Sequence, residues 1–138
     1  MKALLISPDP ELREILRVAL GGLERHTGEP WTFLEATDGI AGLRLAWRET
    51  PDLVVADEIA SRAGAFAVTR DLTGAMEPFA GVIVIVLARR EDEWLAKWSG
   101  ADAWLLRPID PFALTDTVTS LLEARRAERS AGEPEGAR

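Results

Sequence analysis

The chain has 138 residues, 47% of them hydrophobic, which suits one domain of ordinary size. Sixteen basic side chains against 23 acidic ones give a net charge of −7, which disfavours a binder of phosphate backbones. Without any cysteine there is no disulfide framework, thiolate zinc site, iron–sulfur cluster or cysteine nucleophile, and His26, the single histidine, argues against two-histidine metal sites and imidazole triads.

The remaining composition is lopsided, with five tryptophans and no tyrosine, and fourteen arginines beside two lysines. Any chemistry therefore falls to carboxylates, arginines and backbone. The longest apolar run, Val82 to Ala88, is far short of the roughly 20 residues that span a bilayer. Ala3 to Ile6 is too short for a signal-peptide core. These features predict a soluble, cytoplasmic domain with neither a nucleic-acid nor a membrane partner.

Along the chain, Ala3 to Ile6 reads as a strand buried on both faces, stopped by Ser7-Pro8. Asp9-Pro10 then opens a helix, the aspartate as N-cap and the proline at the first helical position, where a missing N–H costs nothing. Leu12, Ile15, Leu16, Ala19, Leu20 and Leu23 form its apolar stripe, and Gly21-Gly22 weakens its end. Glu24 to Pro30 reads as a loop, with His26 a solvated side chain. Trp31 to Glu35 is a second strand, followed by a helix that Asp38 caps, with Ile40, Leu43, Ala46 and Trp47 on its stripe and Thr50-Pro51 at its close.

Leu53 to Ala56 is a third buried strand ending at Asp57. A loop over 58–64 and a helix from Phe66 to Leu72 follow. Val82 to Leu87 is the strongest strand, uninterrupted and β-branched. Glu91 to Trp98 reads as a short helix ended by Ser99-Gly100, and Ala103 to Leu106 as a fifth strand stopped by Arg107-Pro108. Asp110-Pro111 opens the last helix as Asp9-Pro10 opens the first, with Phe112, Leu114, Val118, Leu121 and Leu122 as apolar positions. Glu123 to Arg129 alternates charge as a solvated helix face does. The domain is expected to span 1–126, with a charged, disordered tail over 127–138.

Five strand–helix alternations imply an α/β domain with a parallel sheet covered on both faces and right-handed crossovers. In such sheets the functional crevice lies beyond the carboxyl ends of the strands. That singles out Ser7-Pro8-Asp9, Asp57-Glu58-Ile59, Ala88-Arg89 and Arg107-Pro108.

These strand ends resemble the receiver domain of two-component response regulators, the flavodoxin-like phosphoacceptor module. The stretches that carry the likeness are Leu4 through Arg13, Ala36-Thr37-Asp38-Gly39, Pro51 through Asp57, and Gly100 through Pro108. The likeness as a whole spans residues 2 to about 125. The resemblance implies a doubly wound (βα)₅ sheet of strand order 2-1-3-4-5 in three α/β/α layers. It makes Asp57 the phosphoacceptor equivalent.

In the family, an acidic pair after the first strand and a carbonyl two residues beyond the acceptor hold Mg²⁺. The matching positions are Ser7, Pro8 and Ile59, and neither Ser7 nor Pro8 has a carboxylate. Asp9 comes one residue late and is already explained as an N-cap. The family's phosphate-binding lysine is Arg107 here. No serine or threonine lies between Thr73 and Ser99, so the hydroxyl switch after the fourth strand is missing. Its aromatic partner aligns with Trp104, and the proline and glycine that usually follow the acceptor align near Ser61 and Ala65.

Phosphoryl transfer in such a site rests on positioning and charge neutralisation, and Mg²⁺ typically takes one or two carboxylates besides the phosphate. The departures predict that Arg107, always charged and forked, pairs with the unmodified Asp57 carboxylate. The expectation is an atypical, non-enzymatic receiver that needs no cofactor and works by phosphorylation-independent protein contact, as a homodimer or with a protein partner. Its surface would be the face of the fourth predicted helix, fifth strand and fifth helix. Trp94 and Trp98 lie four apart on one helix face there, with Trp104 beside them. The alternative is a conventional receiver phosphorylated on Asp57, with Asp9 and Asp57 as Mg²⁺ ligands. A third possibility is a small-ligand binder using the same crevice.

Overall fold

The computed structural model describes residues 1–59 and 64–132. Five strands, β1 (Lys2–Ile6), β2 (Thr32–Ala36), β3 (Leu53–Asp57), β4 (Val82–Leu87) and β5 (Ala103–Leu106), form one parallel sheet in the order β2-β1-β3-β4-β5. This is the expected doubly wound topology. β1, β3 and β4 are central and almost wholly buried, which is why they read as unbroken apolar runs rather than alternating ones. The edge strands β2 and β5 are only half-buried.

Six helices are described: α1 (Pro10–Ala19), α2 (Leu23–Thr27), α3 (Gly39–Glu49), α4 (Ala65–Thr73), α5 (Glu93–Ser99) and α6 (Pro111–Ala131). Leu12 and Leu16 of α1 and Leu114 and Val118 of α6 pack on one face of the sheet, against Ala3, Leu5, Val55 and Val84. Ala46 of α3, Val68 and Leu72 of α4 and Ala96 of α5 pack on the other, against Leu4, Ile6, Val54 and Ile85. Alternate residues of each central strand thus serve opposite layers.

The expected caps form as the side chains dictate. Asp9 accepts from the Glu11 amide, Asp38 from Ala41, and Asp110 from Phe112 and Ala113. Three predicted segments differ. Residues 24–27, expected as loop, join Leu23 in the short helix α2: Leu23 is buried, the Thr27 hydroxyl donates to the Leu23 carbonyl, and Gly28 at φ 74° closes the turn. The second strand is shifted by one residue, because Thr32 rather than Trp31 is registered with Lys2. The tail does not begin at 127, since α6 continues to Ala131. Alanine, arginine and glutamate are good helix formers, and Arg125 anchors the helix by donating to the Ala80 carbonyl and to Asp102. Residues 133–138 of the expected tail, and Ser61, lie outside the described residues.

Candidate functional site at the strand ends

Register brings the site together. Ile6 of β1 lies opposite Ala56 of β3, so the next residue on each chain, Ser7 and Asp57, meet at the carboxyl edge of the sheet. Both are completely buried. Asp57 Oδ2 accepts from Ser7 Oγ at 2.7 Å, and Ser7 Oγ in turn accepts from the Asp9 amide at 3.1 Å. Asp57 Oδ1 accepts from the Ile59 amide at 3.1 Å. Ser7, expected mainly to end its strand, therefore also positions the carboxylate.

The third donor comes from two strands away. Leu87 of β4 pairs with Leu106 of β5, and the Arg107 amide bonds the Leu87 carbonyl, which fixes where the arginine leaves the sheet. Its peptide bond to Pro108 is cis. The side chain reaches across the end of β4 and places Nη2 2.5 Å from Asp57 Oδ2. Its Nη1 lies 4.0 Å from Asp9 Oδ2, so one guanidinium faces both carboxylates. Asp57 thus accepts from three donors, one of them cationic. A fully buried carboxylate left without such partners costs several kcal/mol.

Of the other expected pocket residues, Pro8 is exposed, and Ile59 turns its side chain outward while its amide serves Asp57. Ala65 is buried at the start of α4. Ala88 stands directly after β4, so the end of that strand carries a methyl group rather than a hydroxyl.

Sequence reasoning placed Glu58 at a strand end but gave it no role. Its amide donates to the Val86 carbonyl, and its Oε2 accepts from the Ala88 amide at 2.5 Å, tying the end of β3 to the turn after β4. Burial first, and then a hydrogen bond shared with Asp92, push its carboxyl up from the ordinary range, against the pull of the Ala88 amide. Nothing in the sequence signals this contact, because it runs to a backbone amide on a neighbouring strand.

The donor set at this edge does not fit a divalent cation. Ser7 and Pro8 offer no carboxylate, Asp57 Oδ2 already takes Ser7 and the Arg107 guanidinium, and Asp9 spends Oδ1 on its capping bond while Oδ2 faces Arg107. Among the described residues no group of three histidines, cysteines or carboxylates gathers anywhere.

The three tryptophans expected at an interface divide. Trp94 and Trp98 lie on the outer face of α5, 65% and 55% exposed, and the Arg70 guanidinium of α4 lies 4.9 Å from the centre of the Trp98 ring. Trp104 differs from them: half-buried on β5, it packs in part against the core layer that includes Ala96 of α5. An edge strand still has an inward side, and Trp104 fills it. His26 is exposed on α2, and no described helix is long and apolar enough to cross a membrane.

Comparison with known proteins adds relatives. The chain is 31% identical over 124 residues to an uncharacterized response regulatory protein of Mycobacterium tuberculosis, covering 90% of this chain and 92% of the relative. It is 32% identical over 102 residues to the protein PilH of Pseudomonas aeruginosa, covering 72% and 82%. Among solved structures, a response regulator from Chloroflexus aurantiacus superposes with a TM-score of 0.79 at 18% identity, over 88% of this chain and 97% of that one. The receiver domain of the sensor histidine kinase PA1611 from P. aeruginosa, solved with magnesium in its active-site cleft, gives 0.75 at 18% over the same shares. No family model matches.

Proposed function

The chain belongs to the response-regulator receiver family, and from that premise we propose that it signals through protein–protein contact without taking a phosphoryl group on Asp57. The observation that carries this reading is the Arg107–Asp57 pair. The acceptor carboxylate is held by a guanidinium of its own chain where a metal and a phosphoryl group would have to enter. The pocket's other departures support it. Ala88 has no hydroxyl to follow a phosphate, and Ser7-Pro8 supply no carboxylate for a cation.

With the pocket in one state, the working part is a surface, and Trp94 and Trp98 supply its anchor. Exposed indoles carry large apolar area and one hydrogen-bond donor, the combination enriched where binding energy concentrates. On this reading the domain is a binding module and not an enzyme, and it needs no cofactor.

The test is incubation with acetyl phosphate, or with beryllofluoride, in the presence of Mg²⁺. Intact mass and tryptophan fluorescence are expected to stay unchanged. Stoichiometric modification of Asp57 overturns the proposal and favours the alternative, a conventional phosphoacceptor in which Asp9 completes the metal site. The supporting observation for that alternative is the 4.0 Å approach of Asp9 to Arg107, through which both carboxylates would be freed if the arginine swung away.

A further inference from the structure

We draw no further inference here: the strongest candidate, the apolar groove of about 690 Å³ between α1 and α6 lined by Ile15, Val18 and Phe112, carries nothing because its Glu14 is already paired with Arg17 and nothing in the structure shows what covers it.

Discussion

At the scale of single residues, the pocket is governed by one buried carboxylate and what neutralises it. Arg107→Ala leaves Asp57 charged, buried and short of its cation, and is expected to lower the unfolding free energy by about 3 kcal/mol, near the low end for buried pairs because the arginine is partly exposed. Asp57→Asn in the same chain should recover much of that loss, since the uncompensated charge is then gone. Urea denaturation of the two single variants and the double one measures the coupling, and additive effects would count against the pair. Glu58 makes a prediction of opposite sign. Its carboxyl is pushed up in the folded chain, so the native state binds a proton that the unfolded chain gives up, and stability falls as pH rises through the two pKa values. Glu58→Gln keeps an acceptor for the Ala88 amide and removes this effect. The variant should be the more stable protein at pH 7, with its advantage vanishing as pH falls below the ordinary carboxyl value, read from urea midpoints at both ends. The Arg107–Asp57 contact was legible in the sequence because both residues directly follow strand runs, and parallel strands place such ends together. Glu58 was not, since a side-chain bond to a backbone amide leaves no pattern of residue types.

At the scale of elements, the runs and caps carried nearly all of the fold. β4 is fully buried as its uninterrupted β-branched run implies, and Asp9, Asp38 and Asp110 each cap the helix they were expected to start. What escaped notice depends on neighbours rather than on period. Ile15 falls on the apolar stripe of α1, yet it lines the groove beside α6 and stays 41% exposed. Trp104 reads as surface from its place near a strand end, and it is half-buried there, with part of its ring packed on the core. Gly42 shows how tightly elements meet: a Cβ there would stand 2.4 Å from Cδ1 of Ile6, so α3 lies against β1 as closely as a glycine permits. Gly42→Ala must displace the buried Ile6 side chain or push helix and strand apart, and a loss of about 1–3 kcal/mol is expected in chemical denaturation. The same substitution at Gly21, where nothing lies within 4 Å, provides the control and should not destabilise.

At the scale of the whole molecule, two helical layers turn different shapes outward, an apolar groove between α1 and α6 and an exposed tryptophan pair on α5. Between them the pocket balances its charge from within. A ligand that binds only the folded chain raises its stability by mass action. The donor set offers Mg²⁺ no such site, so the melting temperature in millimolar Mg²⁺ is expected to equal that in a chelator, and a rise of several degrees would speak for the phosphoacceptor alternative. A carboxylate that carries its own counter-cation has a consequence for how such a protein would convey information. A domain written on by phosphate stores a message in the fraction of molecules modified, and erases it by hydrolysis. In a protein that works as proposed here, Arg107 holds every copy in the same state from the moment it folds. The message then lies in how many copies exist, and it is set by synthesis and degradation.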